Sequence, residues 1–243
     1  MKTEERSPAG SIIYRHQPSN HSFTFAQANE VSIDLISQHV EKHIGPIQAV
    51  FHEVISDLIH LDILFVAPTK ERNYITLITC GMSNISMTVP DGAEDFRYAE
   101  LMICLPASWE LSEESFKSEE NYWPIRSLKT LARFPHEYKT WLYAGHTIPN
   151  NNPVEPYAKN TKLSGMMLTL PTTVQSPKEF FTLPILPGKE VHFFNLMPLY
   201  NSEMSFKLKH GSDALLEKLD KAGVTPIVDP GRKNTCKKWL GLF

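Results

Sequence analysis

The apolar segments of this chain are short, and their order along the sequence constrains the fold more than any other feature. The segments "LIHLDILFVAP" (58–68) and "YITLITCGMS" (74–83) have strand length and flank the polar turn "TKERN", which predicts a β-hairpin. Further strand-like segments lie at 49–55, 99–106, 162–171, 179–186 and 190–199, and helical patterns lie at 29–44, 112–135 and 212–223. This order predicts an α+β fold, in which a mixed, largely antiparallel sheet is flanked by helices in a single large domain.

The chain is long enough to bury a substantial core without disulfides or metals. It has 243 residues, 42% of them hydrophobic, and a chain of this length buries about 70–75% of its unfolded surface. The sequence predicts a flexible N-terminal arm over residues 1–27, a folded domain over 28–230 and a loose tail over 231–243. With 24 basic and 27 acidic residues the net charge is −3, whereas a general nucleic-acid-binding protein is usually basic. We therefore expect no direct binding to nucleic acid.

Cysteine usage indicates a reducing compartment, and the shortness of the apolar runs argues against a membrane span. The three cysteines are an odd number without a Cys-x-x-Cys pair, and Cys80 and Cys104 lie in apolar strand-like segments. The N-terminus "MKTEERSPAGS" has no apolar signal segment, and the longest apolar runs are too short to span a bilayer. The sequence predicts a soluble, cytoplasmic protein that does not insert into membranes.

The stretch "ARFPHEYKTWLYAGHTIPN" (132–150) is dense in side chains capable of chemistry, and it is the first candidate for an active site. A hydrolase would use His136, Glu137 and His146, but no serine or cysteine in the stretch has an obvious activating base. Buried polar groups that brace a turn are more common than such a site. We expect His136, Tyr143 and His146 to line a groove at a corner between a helix and a strand.

The corner itself follows from a proline and a glycine. Pro135 disfavours helical geometry at Phe134, so we expect the helix to end there. The segment "KTWLYAGHTIP" is then expected to form a strand that leads into a turn at Gly145.

Other patterns of catalytic or metal-binding residues are weaker. His39 and His43 lie four residues apart on the first predicted helix, as a metal-binding pair would, but the sequence offers no third ligand. The chain contains neither G-x-x-x-x-G-K-[ST] nor G-x-G-x-x-G, the usual phosphate-binding patterns. We predict no catalytic residue, no bound metal and no cofactor.

Acidic residues cluster in the middle of the sequence. Residues 91–120 contain nine acidic side chains and only two basic ones, a net charge of −7. Complementary charge speeds the encounter with a basic partner, although an acidic loop that only keeps the protein soluble has the same composition. The predicted partner-binding residues are the acids and aromatics of this segment: Asp91, Glu94, Asp95, Trp109, Glu113, Glu114, Phe116, Glu119, Glu120 and Tyr122.

Several short motifs in a fixed order resemble the suppressor-of-fused-like domain family. A Gly-Met-Ser turn ends the strand-like segment "YITLITCGMS", and a Glu-Leu-Met strand ending in Leu-Pro follows in "AELMICLP". A Trp-Pro helix ending in Leu-Ala-Arg then precedes a Gly-His turn, and "SGMMLTLP" and "FFNLMPLYNSEMSFKL" also fit. The resemblance runs from about residue 28 to about residue 230 and covers most of the chain.

This resemblance implies a mixed α/β fold that binds proteins and is not known for catalysis. Animal members carry a second, C-terminal domain that helps to clamp a transcription factor, which we do not expect in a chain of this length. Short bacterial relatives resemble immunity proteins encoded beside secreted polymorphic toxins, often nucleases. The resemblance therefore predicts an immunity protein, or antitoxin, that binds and neutralises a cognate toxin in the cytoplasm. A regulatory adaptor with another protein partner is the alternative.

Overall fold

A computed structural model of the chain describes residues 5–17, 30–53 and 58–237. Its strands are β1 (Ile47–Phe51), β2 (Asp62–Val66), β3 (Tyr74–Cys80), β4 (Tyr98–Pro106), β5 (Thr147–Pro149), β6 (Gly165–Thr169), β7 (Thr182–Leu186) and β8 (Lys189–Leu199). Its α-helices are α1 (Glu30–His43), α2 (Glu119–Tyr138), α3 (Pro177–Phe181), α4 (Asn201–His210) and α5 (Ser212–Lys221). Parts of the predicted arm (1–4 and 18–27), strand (54–55) and tail (238–243) lie outside the described residues.

The eight described strands form one sheet in the order β1-β2-β3-β4-β8-β6-β5, and β7 pairs with the first half of β8. Neighbouring strands are antiparallel except for β4 and β8, which run parallel. The predicted hairpin is confirmed, because β2 and β3 pair with Asp62 opposite Cys80. The mixed, largely antiparallel sheet with its helices confirms the predicted α+β fold.

Helices cover both faces of the sheet, because alternate strand side chains point to opposite sides. On one face α2 buries Trp123 in the largest hydrophobic cluster. On the other face α1 buries Ile36, α3 buries Phe180, and α4 buries Met204 further along, over β6 and the end of β8. Among the described helices, none combines the length and apolar composition that crossing a bilayer requires.

Helix α2 begins later and ends later than the sequence predicts. Ser118 is its N-cap and accepts a hydrogen bond from the backbone N–H of Glu120. The helix then continues through Pro135 and stops at Lys139, which adopts a left-handed conformation with φ of 49°. The prediction that Pro135 ends the helix was wrong. Pro135 is buried, and packing of this last turn outweighs a preference that proline imposes only weakly on the preceding residue.

The strand expected to follow this helix is much shorter than predicted. Residues 140–146 form irregular chain, and only β5 pairs with the sheet, at its edge beside β6. Gly145 makes the turn between the two with φ of +85°, a conformation that glycine adopts without steric cost. Its backbone N–H donates to the Leu168 carbonyl at 2.8 Å, which fixes the turn against β6.

The described part of the C-terminal tail is not loose. The backbone N–H of Val228 donates to the Cys104 carbonyl at 2.8 Å, and the hydroxyl of Thr161 donates to the Pro230 carbonyl at 2.8 Å. Beyond these contacts, Glu203 of α4 binds both Arg232 and Thr235. A buried carboxylate therefore holds Arg232 and Thr235 against α4, at the start of the segment that the sequence predicts to be a loose tail.

Candidate partner-binding groove

A groove of about 970 Å³ opens beside the β5 edge of the sheet. Its walls are the C-terminal half of α2, the irregular segment 140–146 with β5, helix α4, and residues 12–17 near the N-terminus. Aromatic and histidine side chains line it: Tyr14, His16, Phe134, Tyr138, Trp141 and His146. Clefts of this volume with apolar walls and a few polar groups are typical of binding sites.

The turn at Gly145 places His146 in this groove. The backbone N–H of Leu168 donates to the His146 carbonyl at 2.9 Å, so β6 fixes the backbone on both sides of the turn. The ring of Trp141 meets that of His146 edge to face, with centroids 5.0 Å apart. Burial, together with the nearby charge of Lys207, lowers the pKa of His146 to about 4. The imidazole is therefore neutral at pH 7.

Lys207 of α4 also lines the groove, with only 6% of its surface exposed. No described residue accepts a hydrogen bond from its ammonium group or forms an ion pair with it. Burial lowers the pKa of Lys207, with no nearby anion to oppose the shift. Among the described residues, the groove thus contains a largely buried lysine whose ammonium group has no partner.

The described N-terminal residues form one wall of the groove. Residues 5–17 turn back on themselves, because Arg6 pairs with Ile12 in a β-bridge and Arg15 forms an ion pair with Glu5. This N-terminal hairpin makes few polar contacts with the domain: the N–H of Ala9 donates to the Leu208 carbonyl at 3.2 Å. The indole N–H of Trp141 also donates to the Tyr14 hydroxyl, at 3.4 Å. The hairpin leaves Ile12 and Tyr14 39% and 45% exposed.

The other two side chains expected in the groove point elsewhere. The imidazole Nε2 of His136 is 3.2 Å from the Met82 carbonyl oxygen, and burial lowers the pKa of His136 to about 4. Tyr143 packs against Phe96 and Phe194, with ring centroids 4.7 and 5.7 Å away. His146 and Glu137 line the groove, whereas His136 and Tyr143 are not among its lining residues.

The acidic segment is continuous in sequence but divided in space by β4. A first acidic group (Asp91, Glu94 and Asp95) precedes the strand, and a second acidic group (Glu113, Glu114, Glu119 and Glu120) follows it. All seven side chains are exposed. Nine strand residues span about 26 Å, so the two groups lie at opposite ends of β4. Glu94 and Asp95 of the first group line a separate hollow with the β7–β8 hairpin.

Of the two acidic groups, the second reaches the groove through Glu119. The guanidinium of Arg126, which lines the groove, is 2.9 Å from the Glu119 carboxylate and donates to the Tyr157 carbonyl at 3.2 Å. Glu114 forms an exposed ion pair with Lys117. Exposed pairs of this kind contribute little to stability, so the net negative charge of this loop remains available to a partner.

The three aromatic residues predicted as anchors pack the loop before α2 onto the domain. The indole N–H of Trp109 donates to the Asn121 carbonyl at 3.0 Å, and its ring meets the fully buried Trp123 at 5.8 Å. Phe116 packs against Tyr122 at 5.6 Å. All three side chains are partly buried against the core, so they position the second acidic group.

The Gly-Met-Ser turn and the Glu-Leu-Met strand are joined by one buried carboxylate that sequence reasoning did not single out. Glu100 of β4 is fully buried and accepts hydrogen bonds from the hydroxyls of Thr79 and Ser83 and from the N–H groups of Gly81 and Ser83, at 2.6–3.0 Å. A Cβ at Gly81 would lie 2.1 Å from the His60 carbonyl oxygen, so only glycine fits. In the sequence, the one sign of this site is a glutamate within an otherwise apolar strand, because a buried carboxylate needs hydrogen-bond donors around it.

The remaining histidine candidates are also engaged. His39 has its Nε2 3.0 Å from the Phe180 carbonyl oxygen and packs beside His43. The buried Asp62 lies 3.0 Å from His52 and 3.6 Å from His60. Within the described ranges, no three His, Cys, Asp or Glu side chains are grouped so that they could hold a metal ion.

Known proteins share this fold. A family model for the suppressor of fused protein (SUFU) matches residues 57–233. A crystal structure of a SUFU homolog from Neisseria gonorrhoeae is 19% identical, with a TM-score of 0.63, and the match covers 86% of this chain and 100% of that one. The Sufu–Fu complex structure is 15% identical over 87% and 93% of the two chains, with a TM-score of 0.57. Drosophila Suppressor of Fused is 13% identical over 82% and 48%, with a TM-score of 0.50. No curated protein matches by sequence.

Proposed function

Because this chain belongs to the suppressor of fused family, we propose that it is a non-catalytic module that binds a protein partner in its groove. The Sufu–Fu complex supports this proposal, since a domain of the same fold was solved there in a complex. The groove is the observation that carries it. Its volume of about 970 Å³ and its aromatic walls suit several side chains of a partner.

The alternative of a hydrolase that uses His136, Glu137 and His146 has less support. His136 faces the Met82 carbonyl, away from the groove that contains Glu137 and His146. Burial lowers the pKa of both histidines to about 4. A general base works best when its pKa lies near the working pH, so neither imidazole is tuned for catalysis at neutral pH.

More specifically, the partner we propose is a secreted toxin of the polymorphic class, which this protein would bind and neutralise in the cytoplasm as an immunity protein. The family's short bacterial relatives motivate this proposal, and the second acidic group supports it. A basic toxin, such as a nuclease, would be steered toward the exposed carboxylates beside the groove. A regulatory adaptor would use the same groove for a different protein.

The experiment tests whether charge reversal in each of the two acidic groups changes binding to the protein encoded by the neighbouring reading frame. The chain and that product are expressed together, and toxin rescue and association rate are measured. The double variant Glu113→Lys/Glu114→Lys is expected to slow association about tenfold at low salt, because opposing charge removes steering. The matched control Asp91→Lys/Asp95→Lys makes the same change in charge at the other end of β4 and is expected to leave the rate within about twofold.

Two outcomes would contradict the proposal at different levels. Equal slowing by the two double variants would reject the second acidic group as the docking rim, while leaving protein binding intact. Failure of the neighbouring product to bind the chain, together with failure of the chain to rescue growth, would reject the immunity function.

A further inference from the structure

Lys207 differs from every other buried Asp, Glu or Lys side chain in the described part of the chain. Asp62 is 3.0 Å from His52, Glu100 accepts four hydrogen bonds, and Glu203 binds Arg232 and Thr235. Lys207 is also buried, with 6% of its surface exposed, and has no such partner among the described residues. A protein interior normally pairs such a charge, because burying it alone is unfavourable.

The other charges around the groove do not compensate Lys207. Arg126 and Arg15 also line the groove, but each is paired, with Glu119 and Glu5 respectively. Glu137 lines the groove without a hydrogen bond or ion pair to Lys207. His146, whose pKa is lowered to about 4 by burial and by the charge of Lys207, is neutral at pH 7. The charge of Lys207 therefore lacks one negative partner within the described part of the groove.

The walls restrict which anion suits this position. A single ammonium group supplies one positive charge and three donors, which matches one carboxylate. Phosphate dianions are usually held by several charged or backbone donors, such as arginine forks or helix N-termini. The groove that Lys207 lines instead presents aromatic rings, among them those of Trp141 and Tyr138. This combination suits a carboxylate carried beside an apolar side chain.

We propose that Lys207 is the anchor for a carboxylate of the bound protein, from an acidic side chain or a chain terminus. An adjacent aromatic or aliphatic side chain packs against Trp141 and Tyr138. This inference rests on the proposed function only in that the ligand is a protein. The partner would then carry one carboxylate that enters the groove, in addition to a basic surface that faces the second acidic group.

The test uses small probes on the purified full chain. N-acetyl-tryptophan, which carries a carboxylate beside an aromatic ring, is titrated into the protein and followed by NMR. It is expected to bind at least about tenfold more tightly than N-acetyl-tryptophanamide, because the amide has no charge to pair with Lys207. Phenyl phosphate, the third probe, is expected to bind more weakly than the carboxylate.

Two variants on α4 locate the interaction. Lys207→Met keeps most of the length of the side chain and removes its charge, and it is expected to weaken N-acetyl-tryptophan binding at least about tenfold. Lys209→Met removes an exposed charge from the same helix and is expected to leave the affinity within about twofold. A thermal melt confirms that both variants are folded.

The proposal is overturned if Lys207→Met binds the probe as well as the parent does, or if the amide binds as well as the acid. Tighter binding of phenyl phosphate would assign the site to phosphate instead. These results are separable from the proposed function. A chain with Lys207→Met that still binds and neutralises the neighbouring product with undiminished affinity would reject the anchor and keep the immunity proposal.

Discussion

Two buried charges lie one turn apart on α4 and have opposite surroundings. Glu203 is fully buried and receives hydrogen bonds from Arg232, from the hydroxyl and N–H of Thr235 and from the N–H of Tyr200. Lys207, 6% exposed, donates no hydrogen bond from its ammonium group to any described residue. The same helix therefore carries one charge that holds the fold together and one that is left for a ligand.

The pKa values of the two groups express the same difference. Burial acts to raise the pKa of Glu203, but the hydrogen bonds from Arg232 and the backbone outweigh it and hold this pKa below its usual range. Burial also lowers the pKa of Lys207, and nothing opposes it. In one case the protein has compensated the desolvation of a charge, and in the other it has not.

Breaking the buried ion pair between Glu203 and Arg232 should have the largest effect on stability. Arg232→Met removes the partner of Glu203 and leaves a buried carboxylate without its cation, so we expect the free energy of unfolding to fall by about 3–5 kcal/mol. Urea denaturation measures this loss. The double variant Glu203→Gln/Arg232→Met removes both charges and should recover at least half of it. A loss below about 1 kcal/mol for Arg232→Met would contradict the structural role of the pair.

Replacing Lys207, the charge without a partner among the described residues, should stabilise the protein where replacing Arg232 destabilises it. Lys207→Met is expected to raise the free energy of unfolding by about 1 kcal/mol, because it removes a desolvated ammonium group. Lys209→Met, on the exposed side of the same helix, should change it by less than about 0.5 kcal/mol. Destabilisation by Lys207→Met would show that Lys207 has a partner in the folded chain.

A histidine in the groove extends this comparison to acid conditions. Burial first, and Lys207 second, lower the pKa of His146 to about 4, below the ordinary value near 6.5. The unfolded chain therefore binds more protons between these values, and stability falls as the pH drops from about 6.5 to 4. We expect His146→Gln to reduce the loss between pH 7 and pH 4.5 by about 1–2 kcal/mol, measured by urea denaturation at each pH. An unchanged pH profile would mean that His146 titrates alike in both states.

The sequence predicts the sheet of this protein better than its groove. The strand-like segments and the polar turn "TKERN" identify the β2–β3 hairpin correctly, because alternation and turn residues are local signals. Helix α4 escapes detection because its buried face includes Glu203 and Lys207, which hide the apolar repeat. Glu203 three residues after Tyr200, with Gly211 after the last turn, was the signal that marks its ends.

The candidate site was harder to predict, because its properties depend on contacts between distant residues. The acidic segment looks continuous in sequence, but β4 divides it into two groups. His136 and His146 lie ten residues apart in one stretch of the sequence, yet one faces the Met82 carbonyl and the other lines the groove. Lys207 carries no local sign of burial, because the groove that it lines is assembled only in the folded chain, from α2, β5, α4 and the N-terminal hairpin.

The pKa of the Lys207 ammonium group, followed by NMR with Lys209 as an internal reference and Lys207→Met for assignment, tests the central claim most directly. In the free protein this pKa should lie below the ordinary value for a lysine, because burial disfavours the charged form. Saturation with N-acetyl-tryptophan should raise it, because a bound carboxylate favours the charged form. A Lys207 that titrates at the ordinary value for a lysine and does not respond to the probe would contradict the claim that the groove contains an unpaired cation that binds a carboxylate.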